Sequence, residues 1–209
     1  MSNRRIVGLK VAVWLACLTP LGFLVWKGLT DRLGANPIEV ITRSTGLWTL
    51  TYLMITLSIT PLRRLSGQAW LIRFRRLVGL FAFFYGCLHL TTYVWLDQFF
   101  DVHSMAKDVY KRPFITAGFS AWMLMLPLAL TSTAWSIRKL GGKKWQWLHR
   151  LIYLSASAGA IHFYWLVKKD VTVPVRYLVV LALLLGSRGA LWAWQRRAKA
   201  PALQPEAAD

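Results

Sequence analysis

Acidic side chains are scarce in this chain. Eight Asp and Glu stand against 26 Lys and Arg over 209 residues, a formal net charge of +18. Cysteine is scarcer still. Cys17 and Cys87 both fall inside apolar runs and lack C-x-x-C spacing, which argues against a disulfide framework or a zinc site and leaves them as small packing residues. The sequence has neither a G-x-G-x-x-G turn nor a Walker loop, so no dinucleotide or nucleotide fold is expected. No convincing internal repeat stands out. Apart from histidine, almost no ionisable group interrupts the apolar runs, which disfavours a substrate path lined with charge.

What the chain does have is apolar length. Hydrophobic residues make up 56% of it, with twelve Trp. Six runs of about 20 residues, each long enough to cross a bilayer, cover 9–29, 45–62, 77–97, 114–134, 148–167 and 174–194. In lipid every backbone group must be satisfied internally, so helices or a closed barrel are required. These runs are not the short alternating segments of barrel strands. The expected fold is all-α, an integral membrane six-helix bundle forming one domain over 1–197. The Ala/Pro-rich tail 198–209 is expected to be disordered. Arg4-Arg5 faintly resembles a twin-arginine export signal, but no small-residue cleavage site follows, so the first run reads as an uncleaved membrane helix.

The basic residues are not spread evenly. With the N-terminus placed in the cytoplasm, the cytoplasmic segments hold 17 of the 26: Arg4, Arg5, Lys10, Arg63, Arg64, Arg73, Arg75, Arg76, Arg138, Lys139, Lys143, Lys144, Arg150, Arg188, Arg196, Arg197 and Lys199. The far side has nine, diluted by Asp31, Glu39, Asp97, Asp101, Asp108 and Asp170. Alternation of this kind follows the positive-inside rule and puts both termini in the cytoplasm. It explains the charge as topogenic and as facing anionic lipid, not nucleic acid.

Between the runs, loop 28–46 reads as polar and water-facing, with Thr42 and Ser44 as helix caps. Pro61 reads as the stop of the second helix. The segment 97–112 reads as the longest far-side loop, and 135–147 as a basic loop made flexible by Gly141-Gly142. Trp residues gather near span ends, where indoles anchor at the interface.

The candidate site residues are histidines. His89 lies about 12 residues into the third run, roughly 18 Å at 1.5 Å per residue, and His162 about 14 residues into the fifth, roughly 21 Å. Two imidazoles at one depth on different helices are what an iron porphyrin takes as axial ligands. A hydrogen-bonded core histidine is the alternative for each alone. His149 precedes His162 by 13 residues, about 20 Å, suited to a second heme. On a straight helix, however, the two side chains point about 140° apart, so His149 needs an irregular first turn or an approach to its heme from another direction; an interfacial histidine near the headgroups is the alternative. Arg75 and Arg76 sit where a fourth histidine would stand. Arginine stays protonated and is a poor iron ligand, so either is a candidate partner for a heme propionate, lipid phosphate being the alternative. His103 reads as a surface residue.

These residues carry a resemblance. Thr60-Pro61-Leu62, Arg75 through Leu80 leading to Leu88-His89-Leu90-Thr91, Arg112-Pro113, Thr131-Ser132-Thr133, and above all Trp145-Gln146-Trp147-Leu148-His149-Arg150-Leu151-Ile152-Tyr153 running on to Ile161-His162-Phe163-Tyr164-Trp165 resemble the ferric-reductase-like transmembrane family. The likeness spans about 9–194 and extends to the subunits that serve periplasmic methionine sulfoxide reduction. It implies a bacterial inner-membrane protein binding heme b, one or two, with FMN also associated. It implies electron flow from the quinone pool to a periplasmic molybdopterin reductase, MsrP, that repairs oxidised methionine. Larger members carry a C-terminal flavin–nicotinamide domain; no such domain follows residue 194, so direct use of NADPH is not expected and electrons must arrive from outside the chain. The sequence departs from the family's four-histidine pattern, which leaves the far ligand of a second heme unassigned. An alternative within the family is a ferric-reductase-type carrier fed by a separate cytoplasmic flavin reductase. A heme-free transporter or scaffold is the alternative outside it.

Overall fold

The computed structural model describes residues 3–198, with side chains described as far as Ala190. Nine α-helices follow in order: α1 Asn3–Leu29, α2 Pro37–Ser66, α3 Ile72–Thr91, α4 Val102–Lys111, α5 Pro113–Leu130, α6 Ala134–Leu140, α7 Gly142–Leu148, α8 Leu151–Leu166 and α9 Thr172–Ala198. A 3₁₀ turn, Ala69–Leu71, leads into α3, and a π-helical turn, Thr92–Asp97, extends it. No strand occurs among the described residues. The all-α expectation therefore holds. Ala198 is helical rather than the first residue of a tail, and residues 199–209 lie outside the described part.

Among the described residues, four helices are long and apolar enough to cross a membrane: α1, the segment Ala69–Asp97 around α3, α5 and the first nineteen residues of α9. The expected second and fifth spans do not meet that measure. α8 has only 16 residues, and the many Thr and Ser hydroxyls of α2 dilute its apolarity. Those hydroxyls turn back onto the helix itself. Thr45, Thr49, Thr51 and Thr56 each donate to the carbonyl four residues earlier, which lets a hydroxyl-rich helix lie in an apolar setting.

Packing is concentrated in two helix pairs, α2 with α3 and α5 with α8. These two pairs pack together; α1 lies against α2 and α3, and α9 against α8 and α2. Small residues let the backbones approach, as in membrane helix pairs generally: Ala82 on α3 and Ser155, Ala156 and Ala160 on α8 are fully buried. The core around them is Tyr52, Leu53, Leu57, Phe81 and Tyr85. Large apolar side chains such as Val7, Leu15, Phe23, Leu154 and Leu183 are exposed on the outer faces, as expected of surfaces that meet lipid.

Several sequence expectations are corrected by local chemistry. The segment 28–46 is mostly helix. Its cap is Asn36, whose side chain accepts from the Glu39 N–H at 3.2 Å, with Pro37 at the first helical position, where its missing N–H is harmless. Thr42 and Ser44 lie inside α2. Pro61 does not end α2, which continues through Arg63 and Arg64 to Ser66 and closes on Gly67 in the left-handed region, φ 70°. The segment 97–112 contains α4, capped by the Asp101 carboxylate on the N–H groups of His103 and Ser104. The basic segment 135–147 is two short helices hinged at Gly141, φ 75°. Hydrogen bonds from Thr172 hold the exposed Asp170 carboxyl below the ordinary carboxylate range at the start of α9.

Candidate functional site

The two central histidines are brought together. His89 on α3 and His162 on α8 face each other with ring centroids 6.1 Å apart and planes inclined at 71°. Each ring is held by a backbone carbonyl on the neighbouring helix. His89 Nδ1 bonds the Thr42 carbonyl on α2 at 2.9 Å, and His162 Nδ1 bonds the Phe114 carbonyl on α5 at 2.6 Å. A carbonyl only accepts, so each Nδ1 carries the proton and each Nε2 is left with its lone pair.

Glycine makes this contact possible. A helical side chain tilts toward the N-terminus and covers the turn before it. The residue four places after a carbonyl would therefore shield that carbonyl. Four places after Thr42 stands Gly46, and four after Phe114 stands Gly118. The His89 ring lies over Gly46, where a Cβ would sit 3.0 Å from its nearest ring atoms, and the His162 ring over Gly118, where it would sit 2.7 Å from Nδ1.

The correspondence runs further. Gly86 precedes His89 by three residues and lies against Thr49, three after Gly46; Gly159 precedes His162 by three and lies against Ala121, three after Gly118. The α2–α3 and α5–α8 pairs thus present one local pattern twice, with one histidine from each. In the sequence this repetition shows only as Gly86-x-x-His89 beside Gly159-x-x-His162, too short to stand out from apolar filler of similar composition.

His149 lies apart from this pair. α7 ends at Leu148 and α8 begins at Leu151, so the chain turns at His149–Arg150. The straight-helix objection to His149 therefore does not apply. Its ring stacks on Trp145 with centroids 3.8 Å apart, and its Nδ1 meets the Trp145 carbonyl at 3.1 Å. Its Nε2 is buried and makes no close hydrogen bond, with the Leu128 carbonyl on α5 within electrostatic reach of the ring. Trp145 is itself fixed, donating from Nε1 to the Thr131 carbonyl at 2.9 Å, so it positions a histidine as well as sitting near a helix end. Half-buried Arg75 is within electrostatic reach of the His149 imidazole. Arg76 is exposed and lines a groove between α1 and α3 instead. His103 is exposed on α4.

The chemistry of the central pair fits an iron porphyrin. Two imidazoles with ring centroids 6.1 Å apart are close enough to share one metal. The Nδ1–carbonyl bonds are the outer contacts that ligating histidines use to fix tautomer and orientation. The π-helical turn begins three residues after His89, and such turns are frequent at functional sites.

Comparison with known proteins gives one consistent result. Residues 44–160, which include His89 and His149 and stop two residues short of His162, match the family described as ferric reductase like transmembrane component. The protein-methionine-sulfoxide reductase heme-binding subunit MsrQ of Herminiimonas arsenicoxydans is 56% identical over 204 residues, 97% of this chain and 93% of that protein. The subunit of the same name from Azospira oryzae is 51% identical over 98% of this chain and 90% of its own length. That of Bordetella pertussis is 51% identical over 96% and 97% respectively.

Proposed function

The chain belongs to the ferric reductase like transmembrane family, alongside the MsrQ heme-binding subunits of methionine sulfoxide reductase systems, and from that premise we propose that it is an electron-transfer subunit holding heme b between His89 and His162. It takes electrons from the quinone pool and delivers them to a periplasmic molybdopterin reductase, MsrP, for repair of oxidised methionine. It lies in the bacterial inner membrane with six crossings and both termini in the cytoplasm, so that the basic ends of the helices face inward.

The observation that carries this reading is the 6.1 Å separation of two imidazoles whose Nδ1 atoms are both engaged by backbone carbonyls. His89 and His162 would hold the iron porphyrin, which would supply a one-electron centre whose potential answers to the two imidazoles and their outer contacts. The protein's part is to orient both rings, to keep both Nε2 atoms unprotonated, and to surround the site with apolar helices that restrict water. His149, whose buried Nε2 makes no close hydrogen bond, is the ligand for a second heme nearer the basic ends. Arg75, within electrostatic reach of His149, would pair with a carboxylate of that group. The reductase partner docks on the far side, where α4 and the α1–α2 connection carry both signs of charge, an arrangement suited to transient electrostatic encounter.

The test is spectroscopic. His89→Ala and His162→Ala should each abolish the low-spin signal of the central heme while the protein still inserts. A normal reduced spectrum in either purified variant refutes the ligand assignment. The acceptor is tested by reducing the protein with a quinol analogue and comparing its reoxidation by MsrP and by chelated iron. Faster reoxidation by iron would favour the ferric-reductase-type reading.

A further inference from the structure

We propose that the groove between α1 and α3 is a binding site for one anionic phospholipid. The groove, of ≈ 570 Å³, carries Lys10 and Trp14 on one wall and Arg73, Arg76, Leu77 and Leu80 on the other. The spacing orders these six residues. Trp14 follows Lys10 by four positions, Leu77 follows Arg73 by four, and Leu80 follows Arg76 by four. Residues four apart lie on one helix face, one turn or about 5.4 Å along the axis. Each cation therefore has an apolar side chain one turn deeper toward the bundle's middle. On each helix the surface changes from charge to hydrocarbon going deeper, as a phospholipid does from phosphate to acyl chain.

The three cations also lack counter-charges. Among the described residues none of them is ion-paired; the two salt bridges there are Arg43–Glu39 and Arg112–Asp108, at the opposite helix ends. Asp31, Asp97, Asp101 and Asp170 also lie at those opposite ends. Of the three, Arg73 lies in the first turn of α3, where the helix dipole disfavours positive charge. Three unpaired cations converging on one groove favour an anion, and the apolar wall beneath them favours an anion with a hydrocarbon tail. Trp14 is half exposed, and its ring packs edge-on against Phe81 at 6.2 Å, which fixes it as a rigid side of the groove.

The experiment is native mass spectrometry of the purified holoprotein in neutral detergent, with phosphatidylglycerol or phosphatidylcholine added at equal concentration. The wild type should retain one phosphatidylglycerol in preference to phosphatidylcholine. Lys10→Gln, Arg73→Gln and Arg76→Gln should each weaken retention about fivefold, and the three together should abolish the preference. Trp14→Ala should weaken retention without altering charge. The pair Arg138→Gln and Lys139→Gln, on α6 and outside the groove, should leave it intact. Equal loss in that control pair would mean diffuse attraction and would overturn the site. So would retention by the triple variant, or equal retention of phosphatidylcholine. Displacement of the lipid by an equal concentration of inorganic phosphate would reassign the groove to free phosphate. The optical spectrum of each variant checks its folding; should the triple variant lose it, the single variants and Trp14→Ala decide the outcome.

Discussion

The imidazole of His162 rests directly on Gly118, so closely that a Cβ there would lie 2.7 Å from Nδ1, 2.9 Å from Cε1 and 3.0 Å from Cγ. At Gly46 beneath His89 a Cβ would lie 3.0 Å from Nδ1, 3.0 Å from Cε1 and 3.5 Å from Nε2. A methyl group at position 118 meets the root of the ring as well as its edge, and the ring cannot move away without losing the Phe114 carbonyl. Gly118→Ala should therefore displace His162 and sharply reduce heme content. Gly46→Ala, which meets only the outer ring atoms, should reduce it less. A pyridine-hemochrome measurement per polypeptide reads both; equal heme in Gly118→Ala and wild type would contradict the role given to that glycine.

His149 should be separable from the central pair. Its Nε2 is buried without a close hydrogen bond, and its ring is locked by Trp145. His149→Ala should lower the heme bound per chain while leaving the spectrum of the remaining heme that of the His89–His162 site. Trp145→Phe removes the Nε1 bond to the Thr131 carbonyl but keeps an aromatic ring against His149, and should produce a weaker version of the same loss. Unchanged heme stoichiometry in His149→Ala would remove it from the ligand set.

Much of this was legible in the sequence, for a physical reason. Burying imidazole in an apolar run is costly enough that His89 and His162 draw attention on composition alone, and their matched depth follows from the rise of a helix. The glycines did not stand out, because their function depends on which helix lies opposite and the sequence carries no direct mark of that. A short polar helix capped by Asp101 has the composition of a loop, so α4 carries no helical mark of its own. Proline usually ends helices, and what lets α2 pass Pro61 is contributed by a residue 127 positions away, Arg188.

A second proline is accommodated in α1. Beside Pro20 the hydroxyl of Tyr85 accepts from the Leu21 N–H at 3.0 Å and donates to the Cys17 carbonyl at 2.9 Å. In an uninterrupted helix those two backbone groups would bond each other. Tyr52 also donates to the Cys17 carbonyl, at 3.1 Å. Tyr85→Phe keeps the packing and leaves the Leu21 N–H unpaired in apolar surroundings, which should cost about 1 kcal/mol. Tyr52→Phe should cost less, since Cys17 keeps Tyr85. Thermal unfolding in detergent, followed by loss of heme absorbance, ranks the two; the reverse order would show that Tyr85 acts by packing alone.

Arg188 on α9 gives the sharpest test of how the bundle holds its helices together. Proline at 61 has no N–H, so the Leu57 carbonyl, four residues earlier, has no helical donor. Arg188 Nη2 fills that role from α9, with its guanidinium 5.0 Å from the Tyr153 ring centre. Arg188→Met leaves the carbonyl bare and should destabilise by about 1–3 kcal/mol. The loss is partly offset because the buried Nε of Arg188 has no partner of its own. Pro61→Ala restores a backbone donor to Leu57. Arg188→Met should then cost about 1 kcal/mol less in the Pro61→Ala background than in the wild type. Identical costs in the two backgrounds would place the value of Arg188 in its contact with Tyr153, not in the carbonyl that proline leaves open.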